Sequence, residues 1–163
     1  LQPFQWKWVW KIPMPLSART VWYRSIHGKI PSRSLLHRLM PQTHTSSHCT
    51  LCLDPAVEDL QHLFFLCPQK IEIWSAIVLP HISSIHISNT DLHQHLLSLL
   101  HLSPSYSVDR VESLPHSRLS MICQIFAITL LTIWQAHWRW IFDRAPLLSS
   151  TVIRSITRSL NRL

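Results

Sequence analysis

CTLCLDPAVEDLQHLFFLC, residues 49–67, brings Cys49, Cys52, His62 and Cys67 within nineteen residues. Only four cysteines occur in the 163-residue chain, and three of them sit here. Three thiols and an imidazole at this spacing can close a tetrahedral shell around one Zn²⁺, and a filled four-ligand shell is a structural site. Cys49 and Cys52 form a knuckle whose backbone amides can bond the sulfurs. His62 and Cys67 pose a geometric problem: positions five apart on an α-helix lie about 140° apart around its axis. Pro68 biases Cys67 away from helical backbone, so a helix over Glu58–Leu66 is expected to end at or before Cys67. His48 and His44 are rival imidazole ligands. Metal binding would then act as folding energy for residues 49–67.

Outward from this cluster the sequence reads as helices. One glycine, Gly28, stands against eleven prolines, which disfavours hairpins and leaves proline to punctuate helices and loops. Residues 3–16 read as extended, with Trp6, Trp8 and Trp10 alternating with Gln5, Lys7 and Val9. Ser17 is expected to cap a helix through His27 with Ala18, Val21, Trp22 and Ile26 inward, and Gly28 to close it. Pro31-Ser32 opens a short helix whose apolar stripe is Leu35, Leu36, Leu39 and Met40. Pro68 opens another, with Ile71, Trp74, Ile77 and Val78 inward, which Pro80 should stop. A helix over about 90–101 with Leu92, Leu96, Leu99 and Leu100 as its face precedes a linker at 103–115. A long helix follows over about 116–143, and Ser150 should cap the last, with Val152, Ile153, Ile156, Leu160 and Leu163 inward. The expected fold is mainly α, a small multi-helix domain in which the zinc knuckle is inserted between N-terminal helices and a C-terminal helical part. The expected division is 1–79 for the zinc-binding domain and 80–163 for a helical extension.

Charge is segregated. Residues 1–48 carry Lys7, Lys11, Arg19, Arg24, Lys29, Arg33 and Arg38 and no acid; residues 49–109 carry Lys70 alone against six acids. The end of the chain is basic again, and Arg154, Arg158 and Arg162 recur every four residues as a stripe. Two basic flanks around an acidic centre suit a polyanionic partner, RNA or DNA. Leu119–Trp138 lacks Lys, Arg, Asp and Glu, but its polar Ser, Gln, Thr and His residues make a buried helix the cheaper account than a membrane span. Three clustered cysteines plus Cys123 do not form a disulfide framework, and no signal peptide opens the chain, so an intracellular setting, nucleus or cytoplasm, is expected. Cys123 reads as a buried small hydrophobe. His81, His86, His93, His95 and His101 form a histidine-rich stretch best read as polar helix faces.

Catalytic signatures are missing. The chain has no adjacent aspartates for two-metal polymerase chemistry, no His-x-Glu ahead of Pro-Cys-x-x-Cys for a deaminase, no His-Glu-x-x-His and no P-loop. Intrinsic catalysis is not expected.

Several short motifs occur in order: Trp8-x-Trp10-Lys11; Ala18-Arg19-Thr20-Val21-Trp22-Tyr23-Arg24-Ser25-Ile26-His27-Gly28-Lys29-Ile30-Pro31-Ser32-Arg33; the cysteine cluster with Glu58 four before His62; His62-Leu63-Phe64-Phe65-Leu66-Cys67-Pro68; and Ile73-Trp74. This series, from about Trp6 to Leu79, resembles the zinc-binding region that follows the reverse transcriptase domain in non-LTR (LINE-type) retrotransposon proteins. A weaker echo lies at 133–142, where His137-Trp138 stands in place of the family's Arg-Asn. The resemblance implies a CCHC zinc site at Cys49, Cys52, His62 and Cys67. It implies a piece of a larger polyprotein, with the upstream reverse transcriptase domain as partner. It also implies contact with template RNA or target DNA, largely independent of sequence. The competing readings are a zinc-stapled helical scaffold that docks on protein, and a decayed retroelement relic.

Overall fold

The computed structural model describes residues 9–52, 56–81 and 116–163. Trp6 and Trp8, Lys7, the 90–101 helix, the 103–115 linker and most of the histidine-rich stretch lie outside the described residues. Where the expected extended run over 3–16 is described, residues 9–12 form a turn instead, with the Ile12 N–H donating to the Val9 carbonyl. The fold is mainly helical. The described elements are α1 (Leu16–Ile26), α2 (Arg33–Leu39), a π-helical turn (His62–Leu66), α3 (Pro68–His81), α4 (His116–Asp143) and α5 (Ser149–Leu160). Among the described residues the only β pairing is a single antiparallel bridge between His48 and Val57.

The N-cap of α1 is Pro15, two residues before the expected Ser17, and no side chain caps the helix. Its end is as expected. Gly28 sits at φ +59°, its N–H donates to the Ser25 carbonyl, and the Lys29 N–H donates to Arg24, a Schellman closure. At the end of α4 the same left-handed conformation falls to Arg144, at φ 58°. Ser32 caps α2 by accepting from the Leu35 N–H at 3.3 Å. Ser32→Ala should cost about 1 kcal/mol, the usual loss for a removed N-cap, read as a shifted midpoint in urea unfolding.

Four expectations are corrected. The α2 stripe is not inward: no α2 residue is buried, Leu39 is 65% exposed and Met40 45%. Leu35 and Leu36 are half-buried, and only the outer end of the stripe lies open to solvent. Pro80 does not stop α3, which runs on to His81. α5 begins at Ser149 on Leu148 rather than at a Ser150 cap, and Leu163, past the last turn, is 55% exposed. Glu58 is not helical; it lies beside the bridge, and the helical backbone starts only at Leu60.

The core is shared by the two halves of the chain. Ala18, Val21 and Trp22 of α1, Ile73, Trp74, Ile77 and Val78 of α3, and Val152 and Ile156 of α5 pack with Ile122–Ile133 of α4. Trp74 stacks on Phe65 (5.4 Å between centroids), touches Phe126 of α4 (5.3 Å) and donates its indole N–H to the Phe64 carbonyl at 2.7 Å. Polar ties reinforce the join: Gln124 donates to the Pro13 carbonyl and Ser149 to Gln69. Ser120–Asp143 is long and apolar enough to cross a membrane, and more than half of its apolar window is buried in this core. Cys123 is fully buried, and burial pushes its thiol up to about 12.

Candidate metal centre

The bridge positions the first half of the site. Cys49 N–H donates to the Ala56 carbonyl at 2.8 Å and Glu58 N–H to Ser47 at 2.9 Å, so residues 47–49 and 56–58 run side by side. This brackets the knuckle and brings the chain back toward His62. Within the knuckle the Leu51 amide donates to Cys49 Sγ at 3.4 Å, the amide-to-sulfur contact expected from the Cys-x2-Cys spacing.

The second half is positioned by the π turn. Asp59 Oδ1 accepts from the His62 N–H at 2.7 Å and starts the turn. Cys67 N–H then donates to the His62 carbonyl at 3.3 Å, an i→i−5 bond. An α-helix would set these two residues about 140° apart. The wider π turn brings position five back toward position zero. Cys67 leaves helical geometry at ψ 130°, as Pro68 dictates. The same turn buries Leu63, Phe64 and Phe65, so packing holds the wide geometry.

The four ligand atoms of Cys49, Cys52, His62 and Cys67 all lie within 4.8 Å of one another. Cys52 Sγ is 3.1 Å from His62 Nε2 and 3.5 Å from Cys67 Sγ. A zinc tetrahedron with Zn–S bonds of about 2.3 Å has edges of roughly 3.5–3.8 Å. The cluster therefore has the size and the donor set to hold a zinc ion. The rival imidazoles of His48 and His44 are not among the four converging residues, and the His48 ring contacts Ser46 instead. The thiols already share protons unevenly. A hydrogen bond from Cys49 and the charge of Lys70 hold Cys67 below the ordinary thiol range against the cost of burial. Cys49, donating to Cys67 and buried, is pushed up.

Beside the cluster lies a polar chain with no counterpart among the expected site residues. Glu58, Lys70 and His137 are all fully buried. Lys70 Nζ is 3.5 Å from His137 Nδ1, and His137 Nε2 is 3.4 Å from Glu58 Oε1. Glu58 Oε1 also accepts from the Arg33 N–H at 3.1 Å. Burial works to raise the Glu58 carboxyl, but His137 and Lys70 outweigh it and hold it below the usual carboxylate range. Burial lowers His137 against the opposing pull of Glu58; its Nδ1 faces Lys70 and its Nε2 faces Glu58. One sequence signal pointed here: Lys70 is the sole base among the acids of the middle segment. His137 was hidden among twelve histidines.

The basic residues are dispersed. Lys11, Arg24, Lys29 and Arg38 are exposed, while Arg19 and Arg33 are half-buried. Arg19 donates to the Ile12 carbonyl at 2.8 Å and lies over the Trp10 ring. Arg154 and Arg158 of α5 and Arg162, just past its end, are exposed, and with Thr157 and Asn161 they line a shallow open depression.

Helices around a Cys3His cluster define a zinc-binding module. Residues 2–74 match the family model described as zinc-binding in reverse transcriptase. The match spans all four cluster residues and ends within α3. No curated protein and no solved structure matches the chain.

Proposed function

We propose that the chain is a structural zinc module of a retrotransposon reverse transcriptase, of the non-LTR type, that grips nucleic acid without catalysing a reaction. Cys49, Cys52, His62 and Cys67 hold one Zn²⁺, which staples the bridge to the π turn. The single observation that carries this reading is the convergence of those four ligand atoms inside a segment that matches the reverse-transcriptase zinc-binding family. Zinc here supplies fixed geometry, and the residues around it present charge. The basic set from the sequence, Lys7, Lys11, Arg19, Arg24, Lys29, Arg33 and Arg38 with Arg154, Arg158 and Arg162, supplies phosphate contacts to RNA or DNA. The upstream polymerase domain is the protein partner.

The α5 stripe gives the sharpest test. Each neutralised phosphate adds about 0.7 to 0.9 to the slope of log affinity against log salt. Replacing Arg154, Arg158 and Arg162 by alanine should flatten that slope by roughly 2 to 3 and weaken binding to unrelated RNA sequences alike. An unchanged slope, measured by fluorescence anisotropy, removes the stripe from the interface.

A protein-docking reading draws on the exposed Leu39, Met40 and Val57 close to the metal cluster in sequence. Self-association in gel filtration together with no affinity for RNA would favour it.

A further inference from the structure

We propose that the Lys70 ammonium is the built-in counter-cation of the metal–thiolate centre, held in position by His137 of α4 and by Glu58. The inference rests on the zinc reading above and extends it to residues outside the ligand set.

Three thiolates, one neutral imidazole and one Zn²⁺ leave the centre one negative charge. Taking such a charge out of water is costly unless an opposite charge accompanies it. Lys70 is the fully buried cation at hand, and its charge interacts with Cys67, Cys49 and Cys52. It is tied to the site by the backbone too, because its N–H donates to the Cys67 carbonyl at 2.8 Å in the first turn of α3. On its other side stand His137 at 3.5 Å and, through that ring, Glu58. Burial works against the Lys70 ammonium, and the thiols and Glu58 act to keep its charge, so the surroundings that favour the cation are the anionic ones.

The arrangement has a second consequence. His137 lies on α4, well outside residues 2–74 that match the zinc-binding family. Trp140, one turn on, donates its indole N–H to Thr50 Oγ1 at 3.1 Å, inside the Cys49-x2-Cys52 knuckle. The C-terminal half is therefore part of the metal site's surroundings, not an appendage to it.

The test compares Lys70→Met and Glu58→Gln with wild type in the full chain. Metal analysis gives zinc per chain, a chelating dye gives the rate of zinc release, and iodoacetamide with mass spectrometry gives the alkylation rate of Cys49, Cys52 and Cys67. Buried Cys123 is an internal control for folding. Uncovering the negative charge makes zinc-bound sulfur more nucleophilic, so Lys70→Met should alkylate and release zinc on the order of tenfold faster. Glu58→Gln removes the competing anion, so its alkylation should slow. Loss of packing would drive both variants the same way, and equal rates in all three proteins, or shifts of one sign, overturn the proposal. Should Lys70→Met fail to fold, Glu58→Gln decides alone: slower alkylation supports the counter-cation, equal or faster alkylation overturns it. A wild type that takes up no zinc refutes the zinc reading itself, an outcome separate from these.

Discussion

Cys52→Ser should abolish stoichiometric zinc binding, taking metal content from one ion per chain to near none, and should unfold the region between the bridge and α3. Cys52 is the hub of the cluster, the thiol in contact with both His62 and Cys67. Serine keeps the volume but offers a poor zinc ligand. Structural zinc sites contribute on the order of 10 kcal/mol or more to the folded state of small zinc domains. That exceeds what the short bridge can supply alone. Removing zinc from wild type with EDTA should reproduce the variant, with loss of far-UV helical signal and exposure of Phe64 and Phe65 to a hydrophobic dye. The helical pairs of α4 with α1 and α5 should keep part of the signal, because they form around the apolar core. A Cys52→Ser protein that still carries one zinc at wild-type affinity would falsify the ligand set.

The second large effect is expected at Trp74. Its ring is fully buried between Phe65 of the π turn and Phe126 of α4, and its N–H satisfies the Phe64 carbonyl. Trp74→Ala leaves a cavity of aromatic size and an unpaired carbonyl. The cavity should cost about 3–5 kcal/mol and the lost hydrogen bond about 1 kcal/mol more. For a chain of this length that lowers Tm by on the order of 10 °C. Because Phe65 and the Phe64 carbonyl belong to the turn that aims His62 and Cys67, zinc affinity should fall as well, which calorimetric zinc titration would register. A Trp74→Phe variant, which keeps most of the ring packing, should recover most of the stability and little of the hydrogen bond. A Trp74→Ala protein with wild-type Tm would show that the turn does not depend on α3 and α4.

The metal ligands were legible because few physical arrangements use cysteine at this spacing in a cysteine-poor chain. Helices were legible where apolar residues recur at helical spacing over several turns, as in α1, α3 and α4, and where Ser32 and Gly28 mark an end. The α2 stripe misled because periodicity shows that a face is apolar and not that a partner covers it. Pro80 misled because proline is a weaker signal inside the last turn than in mid-helix. The π turn was invisible in sequence. Its cause is the need to aim two ligands five residues apart at one point while three aromatic and aliphatic side chains enter the core. Glu58 was noted for its place four before His62, but its partners, the His137 ring of α4 and the Arg33 N–H of α2, lie far from it along the chain.

By itself, then, the chain determined its chemistry: which four side chains converge, that helices surround them, and where basic charge accumulates. Those properties depend on residue type and short-range spacing. Tertiary structure alone decided how His62 and Cys67 face one point, that Lys70 is buried against His137, and that α4 reaches back to the knuckle through Trp140. Such contacts join residues some 70 to 90 positions apart. Their energy comes from excluding water around a shared core, and no local pattern encodes which distant side chain will fill that space.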